Sequence, residues 1–137
     1  MNGYNAYVEN NVTTLSPMGL IVALYDRCLL DLQRAKTAIV EGNIAERGRQ
    51  TSHALSIIAE LAGSVDHGPD PDLAKRLISL YDAASSFILE ANIKGDAKML
   101  TAAEKVLTPL REAWGELLKK GFDGRNKAEL HKAVGSK

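Results

Sequence analysis

Residues 16–43 read SPMGLIVALYDRCLLDLQRAKTAIVEGN, and this stretch decides the fold class. Ser16 followed by Pro17 is a helix start: the serine oxygen can accept from an early helical N–H, and proline gives up nothing at the first helical position. Behind it Leu20, Leu24, Cys28, Leu32, Ala35 and Ile39 recur at intervals of three and four, which places them on one helical face. Ile21, Tyr25 and Leu29 form a second apolar row beside it, so the stripe is wider than one bundle core needs. On this spacing Leu20 and Leu24 belong to the core and Tyr25 to an outer row. Gly42 closes the helix, and Asn43 with Glu46 three places on reads as a variant capping box for the next one.

The same grammar repeats three times downstream. Ile44, Thr51, Leu55, Ile58, Ala62 and Val65 form a second apolar row. The run Asp66-His67-Gly68-Pro69-Asp70-Pro71 is a turn, with Asp70 as N-cap and Pro71 as first helical residue. Leu73, Leu77, Leu80, Ala84, Phe87 and Ala91 give a third row; Gly95-Asp96 stops that helix and caps the next. Met99, Ala103, Val106, Leu110, Ala113 and Leu117 give the fourth, whose periodicity passes through Pro109, where a local bend is expected. Helices of ~24 residues span ~36 Å. Joints this short force neighbours antiparallel, and the predicted fold is an all-α, up-down-up-down four-helix bundle. Its divisions are an N-terminal arm over 1–15, the bundle over 16–120 and a basic tail over 121–137.

Composition narrows the function. The chain has 137 residues with 17 Lys+Arg against 17 Asp+Glu, the size and balance of one globular domain. Zero formal net charge argues against a general nucleic-acid binder, which works through a cationic field. The longest apolar run, Met18 to Tyr25, is far short of the ~20 residues of a membrane helix. The first residues lack the basic-then-apolar pattern of a secretory signal, so an intracellular protein is expected. Charge is uneven: from Lys119 onward six basic residues face two acidic ones.

Catalytic chemistry finds no support. Di-iron bundles use Glu-x-x-His pairs, but Gln50, Ser64 and Ala128 stand three before His53, His67 and His131. The aspartates around His67 read as caps of a solvated turn, and no metal site is expected. Cys28 sits on the inner row without a cationic neighbour, the setting of a small buried apolar group and not of a nucleophile. Ser52-His53-Ala54-Leu55 has the His-x-Leu of histidine-phosphotransfer bundles, which makes His53 the centre of an alternative signalling function. It lacks the Lys and Gly that follow there, continuing instead as Ser56-Ile57. Leu24-Tyr25-Asp26 recurs as Leu80-Tyr81-Asp82, which marks two hairpins of similar build. What stands out is spare apolar surface: Tyr4 and Tyr7 in a polar arm, and Tyr25 beside Leu24. Together they suit a groove for a partner helix, where tyrosines are favoured anchors.

These residues, in this order, resemble the flagellar secretion chaperone family FliS. The resemblance runs through Tyr4-x-x-Tyr7, Ser16-Pro17, Leu20-Ile21-x-x-Leu24-Tyr25-Asp26, Ala35-x-x-Ala38-Ile39, Ile57-Ile58-x-x-Leu61, Leu80-Tyr81-Asp82, Ala91-Asn92-x-x-Gly95-Asp96 and Arg111-x-Ala113-Trp114. It implies a cytoplasmic, non-enzymatic chaperone without cofactor. Such a protein holds the unstructured C-terminal region of flagellin, blocks its premature polymerisation and presents it to the export gate protein FlhA. Some members also touch FlgM or FliW. Carried onto this chain, the resemblance makes Tyr4, Tyr7, Leu24 and Tyr25 the client-binding residues. Arg27 departs from it, standing where the family often has Gly; there it would narrow the groove or pair with an acidic partner residue. The basic tail falls outside the pattern.

Overall fold

Each of the four start signals is used. In the computed structural model, which describes residues 15–124, α1 (Pro17–Glu41) opens with the Ser16 hydroxyl accepting from the Gly19 N–H at 3.1 Å. Asn43 caps α2 (Ile44–Gly63) through the Glu46 N–H at 3.1 Å. Asp70 caps α3 (Pro71–Lys94) through Leu73, and Asp96 caps α4 (Ala97–Lys119) through Lys98. The Asn43 box is one-sided, because the Glu46 carboxylate turns to Arg49 and Gln50. Gly42 and Gly95 end α1 and α3 in the left-handed region, at φ 70° and 63°, where a Cβ would be strained. α4 runs unbroken through Pro109.

The helices pack in a ring, α1 against α2 and α4, α3 against α2 and α4, with no strand among the described residues. This is the four-helix bundle expected from the joints. Cross-ties fix the faces at the surface. Glu104 of α4 receives Gln33 and Lys36 of α1, and Arg111 of α4 forks onto Asp26 of α1 at 2.7 and 3.2 Å. Arg47 of α2 donates to Asn92 of α3 at 3.2 Å.

The core matches expectation at many positions and shifts by one residue at others. Cys28, Leu32, Ala35, Thr51, Ile58, Leu77, Ala84, Ala91, Ala103 and Leu117 are buried as anticipated. At several positions of α1, α3 and α4 the buried residue lies one place C-terminal to the expected one: Tyr25 after Leu24, Tyr81 after Leu80, Ile88 after Phe87, Leu100 after Met99, Leu107 after Val106; on α2 it lies one place N-terminal, Ala54 before Leu55 and Leu61 before Ala62. One residue is ~100° around a helix, so two adjacent apolar rows compete for the centre. The larger side chains with a polar tip won on α1 and α3, because each found a hydrogen-bond partner there. Ile44, counted in the second row, is exposed at the end of the bundle.

α4 does not mark the end of the packed chain. The Phe122 N–H bonds to the Leu117 carbonyl, its ring packs against the core, and the Asp123 carbonyl accepts the Met18 N–H at 2.7 Å. That bond serves one of the N–H groups a helix start leaves unpaired. Residues 121–124 thus belong to the bundle, whereas the sequence division had placed them in the tail.

A candidate client groove at the open end of the bundle

α2 has 20 residues and α1 has 25. The difference is ~7.5 Å of helix, and it falls at the end where α1 begins, because the short Gly42-Asn43 joint aligns their other ends. The first turns of α1 therefore face the Ser64–Asp70 connection, and an apolar groove of about 370 Å³ opens there. Pro17, Leu20, Ile21 and Leu24 form its α1 wall. Leu73, Leu77 and Tyr81 form the α3 wall, and Trp114 of α4 closes the floor. Leu20 is 49% exposed and Leu24 is half-buried. A smaller hollow of about 200 Å³ lies between α3 and α4, sharing Leu73, Leu77 and Trp114 and adding Leu80, which is 39% exposed. The two hollows make a continuous apolar track across α3.

Beneath the groove lies a buried polar cluster. The Tyr25 and Tyr81 hydroxyls are 2.7 Å apart, and the Trp114 indole N–H donates to the Tyr25 oxygen at 3.3 Å. Burial raises both phenols' pKa above the ordinary value, so each stays a neutral hydroxyl able to share its proton. The repeated Leu-Tyr-Asp triplet thus has a structural meaning: its two tyrosines meet across the bundle.

Of the four residues assigned to client binding, Leu24 lines the groove. Tyr4 and Tyr7 lie outside the described residues. Tyr25 is corrected: it is 0% exposed, a core residue and not part of an outer row. It reaches the groove through Tyr81 and Trp114, the two lining residues hydrogen-bonded to its hydroxyl. Leu20, Tyr81 and Trp114 were missed as groove residues. The doubled Leu-Tyr pair was the signal for Tyr81; nothing in the spacing singled out Leu20, which fits the core row equally well.

Arg27 neither narrows the groove nor waits for a partner. It donates to Asp31 at 3.1 Å, one turn on in its own helix. Asp31 is fully buried, and His53 of α2 closes on its other oxygen at 2.5 Å. A buried carboxylate has to be paired in this way, so His53 serves as a clasp between α1 and α2. Cys28, next to it, has its thiol pushed up to about 12, mainly by burial and secondarily by Asp31. A thiol so raised is inert, in keeping with its place in the core. Among the described residues no group of three or more His, Cys, Asp or Glu could hold a metal ion, and no helix is long and apolar enough to cross a membrane.

Comparisons with known proteins place the chain in a family. The sequence model of the family described as Flagellar protein FliS matches residues 1–121. The chain belongs to the FliS family. It is 32% identical over 121 residues to the flagellar secretion chaperone FliS of Salmonella typhimurium, covering 85% of this chain and 90% of that one. It is 31% identical over 117 residues to the protein of the same name from Bacillus subtilis, covering 85% and 86%. The Campylobacter jejuni FliS is 31% identical over 114 residues, covering 83% and 89%. This membership carries a flagellar secretion chaperone role, which is not an enzymatic one.

Proposed function

We propose that this FliS protein is a cytoplasmic export chaperone that holds the C-terminal segment of flagellin along the α1–α3 groove and its extension over α3. The carrying observation is the groove itself: an apolar track at the bundle's open end, walled by leucines that the fold leaves half-exposed. An aliphatic trough suits the apolar face of an amphipathic segment, and sequestering such a segment needs no catalytic group. Ordering a disordered client costs about 2–5 kcal/mol, which calls for an extended contact such as two hollows in series.

In this reading Leu24 contacts the client directly and Tyr25 acts from below by holding Tyr81 in place. Tyr4 and Tyr7 contribute from the arm. Occupation of the groove covers the client's self-associating surface and so prevents premature polymerisation. The loaded chaperone is then presented to FlhA, with FlgM or FliW as further partners. The test is co-purification of a flagellin C-terminal fragment with this chain, one to one, and its loss in Leu24→Asp. A variant that folds normally and retains the fragment at full affinity would move the site elsewhere.

A further inference from the structure

The track is apolar along its middle and charged at its two ends, with opposite signs. At the main groove the charged lining residues are Glu60, in the last turn of α2, and Asp66, just beyond its end; no lining residue there is basic. α2 has no basic residue in its last turn to offset the negative pole of its C-terminus. Among the described residues neither carboxylate forms an ion pair, and Asp66 accepts the Gly68 N–H at 3.0 Å. At the smaller hollow between α3 and α4 the sign is reversed. Its charged lining residue is Arg76, which is exposed and forms no ion pair among the described residues.

Because the two hollows share Leu73, Leu77 and Trp114, one segment crossing α3 meets both ends. Packed helices lie about 8–10 Å apart. The ends straddle α3, so the charges they face stand about two turns apart along a bound helix. Apolar contact alone would accept such a helix in either direction. The charges do not: reversed, it would bring like charges together at both ends, and like-charge contact is what rejects wrong poses at interfaces.

We infer that Glu60 and Asp66 at one end of the track and Arg76 at the other set the direction in which the client segment lies. The segment carries a basic residue at the α2 end and an acidic residue about two turns away, over the α3–α4 hollow. Between them its apolar face rests on Leu73, Leu77 and Trp114. The client class narrows from any amphipathic segment to one whose charges are ordered along its length. The inference rests on the track being the client site.

The test measures binding of a flagellin C-terminal fragment to the full chain and to two variants of it, Glu60→Gln with Asp66→Asn, and Arg76→Gln. Asn at 66 keeps the acceptor for Gly68, and none of the three side chains is buried, so both variants should melt as the parent does. Each should weaken binding about three- to fivefold in about 50 mM salt, and about 0.5 M salt should erase most of the difference. A photo-crosslinking residue in place of Ser64, in the main groove, should capture the fragment beside a Lys or Arg. One in place of Leu80, in the smaller hollow, should capture it beside an Asp or Glu about two turns away. Undiminished binding by both charge variants at low salt overturns the inference, and so do crosslinks in the reverse charge order. Loss in one variant alone overturns it too, since a single charged end sets no direction. Leu24→Asp separates this from the client site itself. Normal fragment binding by Leu24→Asp defeats the groove; its loss there, with both charge variants binding normally, defeats the charge order alone.

Discussion

On α1 the triplet Leu24-Tyr25-Asp26 buries its tyrosine, turns its leucine into the main groove and ties its aspartate to Arg111. On α3 the triplet Leu80-Tyr81-Asp82 also buries its tyrosine, but its leucine lines the second hollow and its exposed aspartate forms no ion pair among the described residues. The tyrosines are equivalent because they meet each other. The leucines and aspartates differ because the helices beside them differ. One motif thus divides into a position that builds the bundle, a position that lines an open hollow and a position that depends on its neighbour.

The sharpest way to break that division is Tyr25→Ala. A core aromatic cut to alanine costs about 3–5 kcal/mol, and here the Tyr81 hydroxyl and the Trp114 N–H lose a partner as well. The melting temperature should fall by roughly 10 °C or more. Tyr25→Phe keeps the ring and should cost about 1–3 kcal/mol, the penalty of unsatisfied buried polar groups. A Tyr25→Ala protein that melts normally yet loses client would return Tyr25 to the surface role.

Leu24→Asp is the counterpart one residue away. Its side chain is half-buried at the groove wall, so the effect belongs in binding. Loss of an interface anchor costs about 2 kcal/mol, roughly thirtyfold in affinity. Isothermal calorimetry with a flagellin C-terminal fragment reads this directly, and Leu80→Asp should weaken binding less, since its hollow is the smaller one. Equal losses would mean the two hollows are one site.

How much of this could be read from the chain follows from the same contrast. Caps, stops and helix count were legible because Ser16, Asn43, Asp70 and Asp96 act locally, each within three residues of its partner. The choice between adjacent apolar rows was not, because periodicity gives a stripe and its centre is set by what lies opposite. Leu20 and Tyr25 exchanged places for that reason. The groove was legible only as an excess of apolar surface. Its location depends on α2 being shorter than α1, a length difference that matters only once both helices are aligned at the Gly42 joint.

Alkaline pH probes the shared core beneath both triplets. The Cys28 thiol rises from 9.0 to about 12 on folding, and Tyr25 and Tyr81 are raised as well. A raised folded value means the native state holds its protons longer, so stability is complete below pH 9 and is lost as pH climbs toward 12. Each unit within that window costs roughly 1.4 kcal/mol per group. Melting temperature should fall several degrees between about pH 8 and about pH 10.5, and Cys28→Ala should flatten the early part of the decline. A flat profile in the parent protein would show that these groups are hydrated in solution.

Chain ends offer a smaller effect. Stopping after Lys120 removes the Phe122 packing and the Asp123–Met18 bond, which should cost about 1–2 kcal/mol. Stopping after Gly124 keeps both and should leave the melting temperature unchanged. Equal melting of the two truncations would show that residues 121–124 contribute no net stability.

The smallest expected effect separates the two aspartates. Asp26 and Arg111 make a two-pronged contact, yet both are partly exposed, and pairs of that kind contribute about 0.2–1 kcal/mol. Their attraction does hold the Arg111 guanidinium above its usual pKa, chiefly through the hydrogen bond to Asp26. A double-mutant cycle of Asp26→Asn with Arg111→Gln should give a coupling in that range, fading in high salt. Asp82→Asn, the matching change on α3, should show no coupling to Arg111. The cycle can be repeated with binding as the readout. Asp26 and Arg111 lie off both hollows, so client affinity should not register their coupling. If it does, the client's path extends over the α1–α4 face, and the aspartate of the first triplet joins its leucine as a contact.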